Sequence, residues 1–266
     1  VSDLDGGALA AALVATVGVV AVVMALTFAV ARRSGKHAVI DVTWGLGFVA
    51  IALTAYLLHT GDTLRATVLL GVVALWGLRL AAHIGNRSRG HGEDPRYAAI
   101  LRKAPGNPHL YAVQRVYLPQ AAIMWFVSLP VQVAMFSDRD PGVLLWVGVA
   151  VWAVGLTFET VGDWQLHRFR SDPGTSGSVL DTGLWRYTRH PNYFGDATAW
   201  WGIFLVAADA GLPVWLTVLS PVMMTWLLAK GTGKPLLEKD IAERRPEYAD
   251  YVRRTSGFVP LPPKRS

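Results

Sequence analysis

Apolar runs close to twenty residues long recur from one end of this chain to the other. That recurrence restricts the fold more than any other feature, because a helix needs about 20 apolar residues to cross a bilayer. The runs fall at 8–31, 38–59, 63–85, 116–136, 142–164, 193–209 and 212–229. They predict an all-α integral membrane protein, a bundle of seven transmembrane helices in one polytopic domain spanning residues 1–266. Charged residues make up 17% of the chain, against roughly 25% in soluble domains. The first run is longer than a signal-peptide core, so it is expected to stay as a helix. There is no cysteine, which excludes disulfides and thiolate metal sites.

The formal net charge of +6 would suit a nucleic acid, but its placement points elsewhere. Lys and Arg concentrate in alternate connections: three in 31–37, seven in 79–115, four in 165–191 and nine in 230–266, 23 of the chain's 25. The other connections hold only Arg65 and Arg139, beside Asp3, Asp5, Asp62, Asp138, Asp140 and Asp209. The positive-inside rule then puts the N-terminus outside and the C-terminus in the cytoplasm. The expected location is a bacterial-type cytoplasmic or ER-like membrane, with the bilayer as partner and no nucleic acid. The outer connections, 59–63, 137–141 and 207–213, are short; the cytoplasmic ones are long. Chemistry is therefore expected on the cytoplasmic side. In the tail, Leu236, Leu237, Ile241 and Ala242 are spaced for an apolar helical face, which fits an interfacial helix or a lid.

Ionisable groups inside a span cost about 2.5–3.5 kcal/mol each on insertion scales and need partners or a wet cavity. Asp41, Arg79, His83, Glu159, Asp163 and Asp196 all fall toward the cytoplasmic ends of their spans. Glu159 and Asp163 are four apart, as are Asn192 and Asp196, so each pair shares a helix face. Pro191 suits a first helical position. Gly155, Gly162, Gly195 and Gly202 would let the fifth and sixth spans approach closely. The bland alternative is that these acids only pair with arginines to hold the bundle. Arg79 opens a second group that continues through Asn86, Arg87 and Arg89, an N-R-x-R suited to oxyanions or to plain snorkelling. No two histidines are three or four apart, which leaves Glu159, Asp163 and His167 as a minor metal option and no metal site expected. There is no G-x-S-x-G elbow, P-loop or Rossmann glycine fingerprint.

The stretch GLWRYTRHPNYFGD, with WAVGLTFETVGDWQLHRFR before it and GKPLLEKDIAERRPEYADYV after it, resembles the DUF1295 family. That family is similar to the steroid 5-alpha-reductase C-terminal domain and the sterol C14 reductases, and more distantly to the isoprenylcysteine carboxyl methyltransferases. The shared core would be about 142–260. The resemblance implies NADPH in a cytoplasm-facing pocket and reduction of a carbon–carbon double bond in a lipid or steroid-like substrate. By it, Asn192 and Asp196 match the positions that contact the nicotinamide half, with Asp in place of Glu. Asp163 and Arg170 match a D-x6-R of the preceding helix, and Glu159 stands where steroid reductases tend to have Asn. Asn86, Arg87 and Arg89 match an N-R-x-R around the adenosine phosphates. Lys230, Lys234 and Glu238 fall where Arg, His and Tyr lie near the cofactor. Arg79, Arg186, Tyr187, Arg189, His190 and Tyr193 complete the cofactor set.

One departure bears on the substrate. Steroid 5-alpha-reductases polarise a 3-keto group with a third-span tyrosine and a second-span glutamate. Here the tyrosine position falls near Leu75 and Trp76, and the second-span acid is Asp41. Asp41, Trp44 and Tyr97 are left as the catalytic candidates, with sterol, steroid, unsaturated acyl lipid and isoprenoid all open as substrates. Two other readings stay open: an S-adenosylmethionine-dependent membrane methyltransferase, and a transporter, scaffold or lipid binder without chemistry.

Overall fold

The computed structural model describes residues 4–231 and 247–264. Among the described residues the secondary structure is helical, with two isolated β-bridges and no strand. The long helices are α1 (Gly6–Ser34), α2 (Val39–Leu58), α3 (Thr63–Ser88), α8 (Val143–Ser171) and α9 (Pro191–Ala208). Shorter ones are α4 (Pro95–Leu101), α5 (Pro108–Ala112), α6 (Leu118–Val127), α7 (Leu129–Ala134), α10 (Leu212–Trp215), α11 (Leu219–Ala229) and α12 (Tyr248–Arg254). Five segments are long and apolar enough to cross a membrane: α1, α2, α3, α8 and the α10–α11 stretch Leu212–Ala229.

Two of the expected runs, 116–136 and 193–209, fall outside these five segments. The run 116–136 starts in a π turn at Val113–Tyr117 and breaks between α6 and α7 at Ser128. Pro130 sits in the first turn of α7, where its missing N–H costs no helical hydrogen bond. The run 193–209 is the 18-residue α9. It carries Asn192 and Asp196 in its first two turns, and their polarity lowers its mean hydropathy.

The chain forms two compact units, Val1–Leu145 with Val206–Ser220, and Trp146–Leu205 with Pro221–Ser266. In the first, helix starts follow side-chain caps: Asp5 accepts from Ala8 N at 2.9 Å and Asp62 from Arg65 N at 2.7 Å. α2 and α3 touch backbone to backbone, since a Cβ on Gly77 would lie 2.6 Å from the Gly45 carbonyl oxygen. Phe48 and the fully buried Trp76 stack edge to face beside that contact, with centroids 5.5 Å apart. Buried polar groups are paired across helices. Thr16 Oγ1 donates to Gln132 Oε1 at 2.6 Å and accepts from Trp125 Nε1 at 3.1 Å. Thr27 and Thr43 hydroxyls meet at 2.9 Å.

At one end of this unit four connections are tied around Ser137. Asp5 N donates to Phe136 O (3.2 Å), Gly61 N to Met135 O (3.2 Å) and Asp62 N to Ser137 O (3.0 Å). Ser137 Oγ donates to Ala210 O at 3.2 Å. Loops this short still build a hydrogen-bonded cap, because every backbone group that leaves water must be paired.

Candidate active site

In the second unit, α8 and α9 cross at a seam of glycines. A Cβ on Gly155 would lie 2.6 Å from Gly195 O, one on Gly195 2.8 Å from Glu159 Cα, and one on Gly202 2.6 Å from Trp152 Cα. Side chains larger than hydrogen would hold the helices apart. The seam therefore brings the polar positions of both helices within hydrogen-bonding reach. Asn192 Nδ2 donates to Asp163 Oδ1 at 3.0 Å, and Asn192 Oδ1 accepts from Tyr193 N at 3.1 Å. Glu159 is 2% exposed, Asp163 7% and Asp196 8%. Three buried carboxyl groups and an amide thus lie on the two helices of one close pair, with Asn192 and Asp163 meeting across it. Such a set can accept from amide, hydroxyl or ammonium donors and can offer one amide N–H. His190, 4% exposed, stacks on Tyr193 with centroids 5.4 Å apart and planes at 9°. His190 N donates to Thr188 Oγ1 at 3.3 Å. Among the described residues no three His, Asp or Glu converge as a metal-binding set.

The basic residues before α9 divide by role. Arg186 and Tyr187 are exposed, as is Arg170. Arg189 is 8% exposed, and its guanidinium Nη1 donates to Thr255 O at 2.7 Å and Val252 O at 3.2 Å. Arg189 N donates to Ser256 O at 2.9 Å, Thr188 Oγ1 to Phe258 O at 2.8 Å, and Leu261 N to Tyr187 O at 3.0 Å. Tyr251 Oη reaches Trp185 O at 2.5 Å. The RHPNYFG arginine is therefore a clamp on the chain after α12. Nothing in its local spacing signals this, because its partners lie more than sixty residues away.

In the first unit the candidates Asp41 and Tyr97 are brought together. Tyr97, 6% exposed, donates through its hydroxyl to Asp41 Oδ1 at 2.5 Å and accepts from Gln120 Nε2 at 3.4 Å. Arg96 Nη2 donates to Asp41 Oδ2 at 2.7 Å and its Nε to Asp94 Oδ1 at 2.9 Å. Burial and the facing Asp41 carboxylate push the Tyr97 phenol well above its ordinary value. Burial alone would raise Asp94, but hydrogen bonds and charge from Arg96 hold it below the usual carboxylate range. Asp94 also caps α4, with Pro95 in its first turn; the dipeptide was a readable signal for that start. Trp44 packs edge to face on Phe48 with centroids 5.2 Å apart. Beside Asp41 lies a cleft of about 320 Å³ whose lining includes Arg87, His91, Glu93 and Asp94. Asn86, Arg87 and Arg89 are exposed at the end of α3, and Arg79 is half-buried a few turns earlier. Arg96, Glu93 and Gln120 escaped the sequence reading, since nothing local ties them to Asp41.

Lys234 and Glu238, together with Leu236, Leu237, Ile241 and Ala242, lie outside the described residues. Lys230 is exposed, at the end of a groove of about 280 Å³ lined by Trp201, Val222, Thr225, Trp226 and Ala229.

The family model described as "Protein of unknown function (DUF1295)" matches residues 27–255. This chain belongs to the DUF1295 family. The DUF1295 match covers both units, including Asp41, Tyr97, Asp163, Asn192 and Asp196. The uncharacterized protein C594.04c of Schizosaccharomyces pombe is 23% identical over 223 residues, 74% of this chain. The aligned region spans 63% of that relative's length. No solved structure matches the chain significantly.

Proposed function

We propose that this DUF1295 protein is a multi-pass membrane enzyme that uses NADPH to reduce a carbon–carbon double bond in a lipid or steroid-like substrate. The observation that carries the reading is the Asp163–Asn192 hydrogen bond, half-buried, with Glu159 and Asp196 buried on the same two helices where α8 and α9 touch. NADPH, when bound, supplies a hydride. The residues fit its nicotinamide end by chemistry: a carboxamide offers two N–H donors and one oxygen, and the pair offers carboxylate acceptors and an amide. Asn192 would fix the amide's orientation. The close glycine seam would keep bulk water from the reacting carbon. The resemblance to the steroid 5-alpha-reductase group supports the same assignment.

In this reading the chain crosses the membrane seven times, with α6–α7 and α9 supplying two crossings beyond the five long apolar segments. The N-terminus lies outside, and the site opens to the cytoplasm. The alternation of 23 of 25 Lys and Arg residues supports that topology.

A second reading is favoured by one specific observation. Three carboxyl groups around a single amide suit a cation, and S-adenosylmethionine carries a sulfonium and an ammonium. A methyltransferase would use the same helix pair. Thermal unfolding in mild detergent with NADPH, NADH or S-adenosylmethionine separates the two, because a ligand that binds only the folded state raises its stability by mass action. The reductase reading expects the largest rise with NADPH, lost in Asn192→Ala and Asp196→Ala. A rise with S-adenosylmethionine alone would replace it with the methyltransferase.

A further inference from the structure

The corner between α1 and α2 is bound to the connection after α3 by a set of contacts that the proposed reaction does not use. Lys36 Nζ donates to His91 O at 2.5 Å. The Glu93 carboxylate accepts from three backbone amides, His37 N (2.5 Å), Ala38 N (2.9 Å) and Asp94 N (3.0 Å), so it caps the start of α2 from outside that helix. His37, 3% exposed, uses both ring nitrogens: Nδ1 meets Tyr117 Oη at 3.1 Å and Nε2 meets His109 Nδ1 at 3.4 Å. Phe28 closes the cluster edge to face against Tyr117 and His109.

From this geometry we infer that His37 and His109 form an acid-sensitive latch, closed while at least one ring is neutral and opened when both are protonated, which frees the 89–112 connection from the α1–α2 corner. The imidazole–imidazole contact allows one shared proton, with one nitrogen donating and the other accepting. With one ring protonated an N–H on one side still meets a lone pair on the other, but with both protonated N–H groups face each other across 3.4 Å and two positive charges meet. The charged groups around the ring do not compensate. Arg32 on α1 repels an imidazolium, and Lys36 adds a further positive charge to the same corner. Glu93 attracts it, but that carboxylate already serves three amides. Tyr117 is a neutral partner. Burial, reinforced by His109 and Arg32, holds His37 below its ordinary 6.5 against the pull of Glu93.

The sign follows from linkage. The open form binds protons more readily than the closed one. The closed form therefore keeps its full advantage above 6.5 and loses it as the pH falls below that value. The connection that would be released carries Glu93, Asp94, Arg96 and Tyr97. Opening would uncap α2 and loosen the grip on Asp41.

The chain has no cysteine, so paired spin labels can be placed cleanly. Ser34→Cys and Gly106→Cys are suitable sites: both are exposed, and a Cβ at Gly106 meets nothing within 4 Å. At about pH 8 the pair should give one narrow distance distribution, and at about pH 5 a second, longer population. His109→Gln, which cannot charge, should abolish the long population. In the unlabelled wild type, amide exchange at His37 and Ala38 should speed up at least about tenfold beyond the intrinsic pH effect over the same range. Distributions that are the same at both pH values, or a long population that persists in His109→Gln, would overturn the latch. So would unchanged protection of the two amides, which needs no variant to fold.

Discussion

Arg65 and Asp209, 144 residues apart in the sequence, meet as a buried ion pair with Nη2 and Oδ2 3.3 Å apart. The Arg65 side chain is fully buried. Its Nη1 also donates to Ser137 O at 3.2 Å and its Nη2 to Arg139 O at 2.7 Å. Asp209 accepts from Gly142 N at 2.8 Å and Leu145 N at 3.3 Å. The two charges thus satisfy the backbone of the 137–145 segment from both sides.

Removing one partner leaves the other charge buried without its counter-ion, which typically costs about 3–5 kcal/mol. Asp209→Ala should therefore lower the thermal midpoint in detergent by many degrees. Replacing both partners, as Arg65→Met with Asp209→Leu, should recover part of the loss. If Asp209→Ala unfolds at the wild-type temperature, the pair does not organise this end of the unit.

The seam between α8 and α9 makes a sharper claim. Gly195→Ala places a methyl group against the Glu159 backbone, 2.8 Å from its Cα, where backbone must shift. Overpacking of this kind costs about 1–3 kcal/mol. It should also separate Asn192 from Asp163 and weaken nucleotide binding along with stability. Gly18→Ala is the control, since a Cβ there meets nothing within 4 Å. Equal unfolding temperatures for the two variants would show that the seam tolerates a side chain.

The features read correctly from sequence are those whose signal is local. α1, α2, α3 and α8 announce themselves by long apolar runs. The four-residue spacing of Glu159 with Asp163 and Asn192 with Asp196, with glycines between, is enough to forecast a close polar helix pair. The break at Ser128 was also present locally, in the prolines at 119 and 130, but a hydropathy run averages over it. The rest depends on partners distant in the chain. Arg65 looked like an outer-loop charge, and Arg189 was placed only by resemblance, in the cofactor set. Both are buried because carbonyl oxygens from other segments surround them, and no periodicity reports such a pairing.

Arg189 gives the third prediction. Hydrogen bonds from a charged donor contribute about 1.5–3 kcal/mol, and here two go to carbonyls flanking the end of α12. Arg189→Ala should release α12 from the loop before α9. Trypsin should then cut after Arg253 and Arg254 faster than in the wild type. Arg189→Lys should fall between, as lysine keeps the charge but lacks the rigid planar guanidinium that holds Nη1 between the two carbonyls. Cleavage at the wild-type rate in Arg189→Ala would mean that Tyr251 and the Thr188 hydroxyl suffice to hold the tail.

Tyr97 gives the last. Its phenol is buried and donates to Asp41, so ionising it would bring a second negative charge beside a carboxylate. Arg96 opposes that effect without cancelling it. In an ultraviolet titration Tyr97 should stay protonated past about pH 10, where a free phenol ionises. Tyr97→Phe should remove no titration step in that range. Linkage then fixes the direction for stability. Unfolded Tyr97 loses its proton near its ordinary value, the folded residue does not, and the folded state is disfavoured as the pH rises past that point. The wild type should therefore lose stability faster than Tyr97→Phe above about pH 10. A titration step near that pH that disappears in Tyr97→Phe would mean that the hydroxyl is solvated and the Asp41 contact is not maintained.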